Sequence, residues 1–422
     1  MNIIVNTLFY TLCVALTTVH AIDFDDALTE ADEGNAESQI YVANAYLSGK
    51  GVDKNESLGF LYMLKAAVQN NPIATTNVGI MYANGIGTNK NDREALNWFT
   101  KGAELNNSVS QNNLGQFFET GRGTERSVKN AIKLYQDAAV NNLPSALFNL
   151  ARFYLYGIGV PSDPLKSLNL FEQAANLGEE RAYYYIGYQY LNGLGTNIRS
   201  TKAFQYLSLA ANNKQTKAYF PLSLCYQDGI GVEQSQDNAL RYLLLATAHG
   251  DLDANKQLSE LSVKKLIPEN FTFQTSELQE PVLTYLQGIY SENGIFNAKN
   301  LEVAFGHFTT AANAGYVPAF YKLANYLENE YGTSKNLASA LMWYEKSAKA
   351  GNIAAQTKLG VMYAQGIGTQ IDAMQAYGWL LVASTNGDKN SEKVLEQLEK
   401  KLTPAQKSEG RNLATAFAHP SP

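Results

Sequence analysis

Asparagine and tyrosine recur at three fixed positions in five successive segments, and their side chains are suited to binding a partner. The residues are Tyr41, Asn44, Ser48, Asn77, Ile80, Asn84, Asn113, Gln116, Thr120, Asn149, Arg152, Tyr156, Tyr185, Tyr188 and Asn192. Amides can hydrogen-bond an extended peptide backbone, and tyrosine adds contact area at low entropic cost. We therefore predict a surface that binds a polypeptide segment. Its candidate residues are Asn113, Gln116, Asn149, Arg152, Tyr156, Tyr185 and Tyr188. In the alternative interpretation, the asparagines only hold neighbouring segments together.

Residues that could catalyse a reaction or hold a metal ion are scattered along the chain. The four histidines lie far apart in sequence, which argues against a local metal cluster. The carboxylates Glu119, Asp228 and Glu233 are isolated, so no general acid–base pair is apparent. The segments 162–165 and 347–349 do not fit a Ser-x-x-Lys nucleophile. We therefore predict that the protein is not an enzyme and uses no metal or cofactor.

Composition excludes several further classes of protein. The chain has 422 residues, of which 45% are hydrophobic and 17% are charged, so it can form a core and is not wholly disordered. The net charge is −6 and the charges are dispersed, so no nucleic-acid partner is expected. With Cys13 and Cys225 as the only cysteines, an internal disulfide framework is not expected.

The first 21 residues have the pattern of a cleaved signal peptide. They contain no Asp, Glu, Lys or Arg, residues 8–16 are apolar, and Val19-His20-Ala21 fits a cleavage site between small residues. A membrane anchor is the alternative, but Asn6 and the four threonines of this stretch would make a poor bilayer span. We expect cleavage after Ala21, no transmembrane anchor after cleavage, and a periplasmic or secreted chain.

A Gly-x-Gly pair that recurs every 36 residues organises the rest of the chain. Its first glycines are Gly49, Gly85, Gly121, Gly157, Gly193, Gly229 and, after an interruption, Gly366. Small, aliphatic and aromatic residues precede each first glycine by eleven, seven and three positions. They share one face of an amphipathic helix, helix A. A capping residue six positions after the glycine, followed by alternating small and large residues, predicts a second helix, helix B.

Two further segments follow this template between Gly231 and Gly366, which makes about nine repeats with an interruption near residues 251–280. We expect two stacked arrays. The first, residues 22–270, would contain an N-terminal half-unit, six repeats and a cap-like helix. The second, residues 271–422, would contain three repeats and C-terminal cap helices. Caps are expected because a bare stacking face would expose hydrophobic surface to water.

The repeat template resembles the Sel1-like repeat family. The pattern is Ala-x-x-x-Leu-Gly-x-x-Tyr-x-x-Gly-x-Gly, and residues 358–368 are its best single match. The resemblance implies an all-α, right-handed superhelical solenoid of helix-turn-helix repeats, related to tetratricopeptide repeats, with helix A on the inner surface. It also implies scaffold or adaptor work, in which the partners are proteins or peptide segments.

The setting in which such a scaffold would act has several alternatives. We favour the bacterial cell envelope, where components of envelope complexes would be partners. A secreted factor that contacts host proteins is the second possibility. Residence in a eukaryotic secretory lumen is the third, since glycosylation sequons begin at Asn55, Asn106 and Asn270. A β-lactam-binding or peptidoglycan-binding enzyme is disfavoured, because the cysteine-rich relatives associated with that activity carry a cysteine pair in each repeat.

Overall fold

The computed structural model describes residues 23–263, 280–295 and 297–418. These residues form 22 α-helices and one short 3₁₀ turn, and they contain no β-strand, which confirms the predicted all-α class. By internal contacts the chain divides into two units, Met1–Gln215 and Thr216–Pro422. The predicted signal peptide and the predicted array boundary at residues 270 and 271 both lie outside the described residues.

The first unit consists of helix hairpins preceded by a single helix. Its helices are α1 (Phe24–Asp32), α2 (Ala36–Ser48), α3 (Glu56–Val68), α4 (Pro72–Asn84), α5 (Asp92–Glu104), α6 (Ser108–Thr120), α7 (Val128–Val140), α8 (Pro144–Tyr156), α9 (Pro164–Asn176), α10 (Ala182–Asn192) and α11 (Ser200–Asn212). From α2 onward, even-numbered helices are helix A of a repeat and odd-numbered helices are helix B. Five complete repeats therefore follow the leading half-unit.

The second unit contains four more repeats and several additional helices. A 3₁₀ turn (Thr216–Ala218) precedes α12 (Tyr219–Asp228), α13 (Gln236–Ala248), α14 (Leu252–Val263), α15 (Glu280–Asn293), α16 (Leu301–Asn313), α17 (Val317–Asn329), α18 (Leu337–Lys349), α19 (Ile353–Gln365), α20 (Ala373–Thr385), α21 (Lys389–Glu399) and α22 (Pro404–Ala418). The helix hairpins are α12–α13, α15–α16, α17–α18 and α19–α20. Helix α14 lies at the predicted interruption, and α21 and α22 follow the last repeat.

The helix ends form where the sequence predicts them. The predicted caps of helix B form: their side chains accept hydrogen bonds from backbone N–H groups of the first turn, as at Asn55, Ser127 and Asp163. Arg199 occupies the same position in the fifth repeat, is not a capping residue type and makes no side-chain cap. Helix A is also capped, by Asn71 in the second repeat for example, and this feature was not predicted. Capping of both helices satisfies backbone donors that would otherwise lack partners at each hairpin turn.

The most deeply buried large residue of helix B lies fourteen positions after the first glycine of its repeat. The residue thirteen positions after the first glycine is only half-buried in some repeats, for example at Trp98, and is buried in others, for example at Tyr62 and Trp379. The next residue, for example Phe99 or Tyr135, is fully buried and contacts helix A of the following repeat. The Phe99 and Phe117 ring centroids lie 5.2 Å apart, and those of Tyr135 and Phe153 lie 5.6 Å apart. These ring contacts form a core that continues from one repeat to the next.

Additional helices cover both ends of the described repeats. Helix α1 buries Ala27 and Ala31, and Asp32 at its end accepts a 2.9 Å hydrogen bond from the Tyr62 hydroxyl of α3. At the other end, α22 packs on α20, where the Phe417 ring stacks on Trp379 at a centroid distance of 4.1 Å. Helix α1 before the first repeat and α22 after the last one shield apolar faces that have no further repeat beside them.

Candidate functional site

The seven predicted binding residues lie on helix A of the third, fourth and fifth repeats, which are α6, α8 and α10 of the first unit. Two of them are buried, since Asn113 is 7% exposed and Asn149 is 3% exposed. Asn149 Nδ2 donates a 3.0 Å hydrogen bond to Asn112 Oδ1 of the preceding helix A. Within the described residues, Asn113 Nδ2 has no hydrogen-bond partner. The contact of Asn149 is the kind that the alternative interpretation expects, because it joins adjacent repeats.

Arg152 and Gln116 lie nearer the surface and are half-buried. The Arg152 guanidinium lies 3.3 Å from Glu119 Oε1, and the Tyr135 hydroxyl donates to Glu119 Oε2 at 2.6 Å. Glu119 therefore connects α6 with α7 and α8. The ion pair holds the Arg152 side chain in place and compensates its charge, although partial exposure limits what the pair adds to stability.

Three of the predicted residues belong to a cluster of tyrosines on α8 and α10. We call Tyr156, Tyr184, Tyr185 and Tyr188 the tyrosine patch. Tyr156 is 57% exposed, and the other three are half-buried. Tyr184 was missed by the sequence analysis, although it lies one helical turn before Tyr188 and the two rings stack at 6.0 Å. Tyr185 links them to the core, since its ring lies 5.2 Å from Tyr184.

The core beneath the tyrosine patch holds Tyr185 in a defined orientation. Its ring stacks on Phe171 of α9 at 4.8 Å with an interplanar angle of 10°. It also meets Phe148 of α8 edge-on at 5.5 Å. Burial raises the pKa of the Tyr156 hydroxyl, and the neighbouring Tyr185 and Tyr188 raise it further. The Tyr156 hydroxyl thus stays protonated at neutral pH and can donate a hydrogen bond.

In the second unit Glu328 connects three helices as Glu119 does in the first unit, and its pKa is shifted. Glu328 accepts hydrogen bonds from the Tyr344 hydroxyl at 2.7 Å and from Lys358 Nζ at 2.9 Å. Burial alone would raise the pKa of Glu328. The hydrogen bonds from Tyr344 and Lys358 and the charges of Lys358 and Lys335 together outweigh burial, so the pKa lies below its ordinary value of 4.5.

Replacing Glu328 with glutamine is expected to reduce the acid sensitivity of the second unit. Because the folded-state pKa is lowered, ionised Glu328 stabilises the fold above about pH 4.5, and this contribution is lost as pH falls through the folded value. Glu328→Gln should lower the free energy of unfolding by about 1 kcal/mol at pH 7 and by less at pH 3. Urea denaturation at both pH values measures this, with exposed Glu330→Gln as control. An equal loss at both pH values would contradict the prediction.

Metal and membrane features are absent from the described part of the chain. Among those residues, no group of three or more His, Cys, Asp or Glu side chains is placed to hold a metal ion. None of the described helices is both long enough and apolar enough to cross a membrane.

The repeats can be compared with known families now that their geometry is defined. The family model for the Sel1 repeat matches nine segments, at residues 36–71, 72–107, 108–139, 144–179, 180–214, 216–251, 285–316, 318–352 and 353–388. The chain belongs to the Sel1 repeat family. The matches confirm the predicted count of nine, and the gap between residues 251 and 285 agrees with the predicted interruption. Sel1 repeats form a scaffold fold for protein–protein interactions, and proteins of this family are typically not enzymes.

Solved structures of other Sel1 repeat proteins are similar to this chain. A protective antigen of uropathogenic Escherichia coli with an SLR fold, c5321, is 23% identical with a TM-score of 0.49, and the match covers 94% of each chain. A Sel1 repeat protein from Oxalobacter formigenes is 31% identical with a TM-score of 0.48, covering 53% of this chain and 94% of that one. No curated protein matches the chain in sequence.

Proposed function

We propose that this Sel1 repeat protein is an exported scaffold that holds an extended polypeptide segment of a partner protein on helix A of its third to fifth repeats. The observation that carries the proposal is the tyrosine patch, in which exposed Tyr156 and half-buried Tyr184 and Tyr188 share one surface. Partly exposed aromatic rings held by a packed core are typical of residues that contribute most to binding at protein interfaces.

The surroundings of the tyrosine patch suit a peptide backbone. Arg152 is held by Glu119 close to Tyr156, and half-buried Gln116 occupies the corresponding position on helix A of the preceding repeat. Their guanidinium and amide groups can pair with backbone carbonyl and N–H groups of a bound segment. Asn113 and Asn149 contribute indirectly in this proposal, because their burial lets them support the helices rather than reach the partner.

Export is supported by the first 21 residues, which have an apolar segment and a site for cleavage after Ala21. We place the scaffold in the bacterial periplasm or outside the cell, with components of envelope complexes as partners. Cell fractionation with N-terminal sequencing tests this location, and recovery of the uncleaved chain in the cytosol would contradict it.

Removing two rings of the tyrosine patch is expected to weaken peptide capture at least tenfold. Random 12-residue peptides from a display library would be selected for binding, once with the full chain from residue 22 and once with its Tyr156→Ala/Tyr188→Ala variant. Loss of one interfacial tyrosine commonly costs about 1–2 kcal/mol, and about 1.4 kcal/mol corresponds to tenfold in affinity. Titration of the selected peptides against both proteins measures the change.

The control for this experiment is Tyr331→Ala, which removes a tyrosine that is 44% exposed on the second unit. Thermal denaturation checks that all variants remain folded. If the selected peptides bind the double variant as tightly as the parent chain, the tyrosine patch is not the binding surface and the proposal is wrong.

A further inference from the structure

We propose that the segment held on the tyrosine patch is an uncharged, proline-rich chain in the polyproline II conformation. This inference rests on the proposed function and names the chemical class of the partner. Three features of the first unit support it: the packing of the aromatic rings, the side-chain contacts between neighbouring A helices and the absence of net charge on the surface they form.

Three rings of the tyrosine patch, those of Tyr184, Tyr185 and Tyr188, pack against other aromatic rings of the chain without any partner. Tyr185 is fixed between Phe171 and Phe148, at centroid distances of 4.8 and 5.5 Å. The Tyr184 ring meets the Tyr185 ring edge-on, and it stacks on the Tyr188 ring at 6.0 Å with an interplanar angle of 29°. Grooves lined by such rings are the sites at which proline-rich segments dock, because both surfaces are stiff and lose little entropy on contact.

The A helices of successive repeats lie side by side in this part of the first unit. Asn149 of α8 donates directly to Asn112 of α6, and Tyr185 of α10 contacts Phe148 of α8. An extended segment that crosses these helices can therefore contact α8 and α10 together.

The charge on this surface favours an uncharged partner. Among the fifteen positions of the predicted row in the first five repeats, the only charged residue is Arg152, and Glu119 pairs with it. A partner rich in acidic or basic residues would find no complementary charge there. A polyproline II backbone leaves its carbonyl groups free of internal hydrogen bonds, so tyrosine hydroxyls and the Gln116 amide can donate to them.

Calorimetric titration of the full chain from residue 22 with two capped 12-residue peptides tests the inference. One peptide contains four Pro-Pro-Gln repeats and the other contains four Ala-Ala-Gln repeats, so both are uncharged and equally long. The proline peptide should bind at least tenfold more tightly. Tyr188→Ala should weaken binding of the proline peptide at least tenfold. Tyr188→Phe should keep the affinity within about threefold, because the ring remains. Tyr331→Ala should leave the affinity unchanged.

The possible failures separate this inference from the proposed function. Equal binding of both peptides, or tighter binding of the alanine peptide, would overturn the proline assignment. If neither peptide binds while displayed random peptides are captured and then lost in Tyr156→Ala/Tyr188→Ala, the proline assignment is wrong and the polypeptide-binding function stands. If displayed peptides are not captured either, both proposals are wrong.

Discussion

Replacing Gly87 with alanine is expected to destabilise the first unit by about 3 kcal/mol or more, whereas the same change at Gly51 should cost about 1 kcal/mol. Both are second glycines of their pairs and both adopt positive φ, 67° and 78°. A methyl group at Gly87 would overlap the carbonyl oxygen of Glu56 and lie 2.9 Å from Phe60 Cβ. At Gly51 it would meet no atom within 4 Å. The difference between the two variants therefore isolates the contact between repeats from backbone strain.

Urea denaturation of both variants, followed by circular dichroism, measures these losses. Gly85→Ala provides a second control, because this first glycine also has positive φ but its added Cβ would lie no closer than 3.3 Å to any neighbouring atom. It should behave like Gly51→Ala. Similar losses for Gly87→Ala and Gly51→Ala would show that the close approach of the Gly87 turn to α3 does not constrain the residue.

Deleting residues 404–422 is expected to destabilise the second unit by about 5 kcal/mol. This truncation removes α22, which covers Tyr377 and Trp379 of α20, residues that are 2% and 1% exposed. Gly410 and Phe417 of α22 pack directly against these rings. Large aromatic surfaces on α20 would then face water. Exchange of the backbone amide hydrogens of α20 should become faster. Exchange in α9 of the first unit should stay unchanged and serves as the internal reference.

Single substitutions on α22 test the same contact, with a smaller expected loss in the free energy of unfolding. Phe417→Ala removes the ring that stacks on Trp379 and should cost about 2 kcal/mol, because Phe417 is half-buried rather than fully buried. Asn412→Ala on the exposed side of the same helix should cost less than about 0.5 kcal/mol. If the truncated chain and both single variants unfold like the parent chain, α22 does not act as a cap.

The two glycines of each pair have different physical roles. The first ends helix A in the left-handed conformation, and Glu330 takes this conformation at the one repeat where the glycine is missing, with φ 62°. The second brings the turn against the start of the preceding helix B, as at Gly123, where an added Cβ would lie 2.5 Å from the Asp92 carbonyl oxygen. At Gly87 and Gly123 the neighbouring repeat thus adds a steric need for glycine to the one that positive φ already creates.

The candidate site could be predicted only in part. The spacing correctly assigned Asn149, Tyr156 and Tyr188 to helix A, but it treated them as equivalent. In the folded chain Asn149 is buried against Asn112, whereas Tyr156 remains largely exposed. Tyr184 was not selected, because it lies outside the three positions chosen from the repeat pattern. Its place beside Tyr188 follows from the spacing of a single helix turn.

The sequence by itself determined the all-α class, the number of repeats, the caps of helix B and the glycine turns. These features depend on the backbone within one repeat, where helix periodicity, capping and left-handed turns act over a few residues. Only the tertiary structure decided which side chains are buried, such as Phe99 rather than Trp98, and which polar residues reach the surface. Burial depends on side chains in the next repeat, as that of Phe99 depends on Phe117, and the distance between those helices is not encoded in the period.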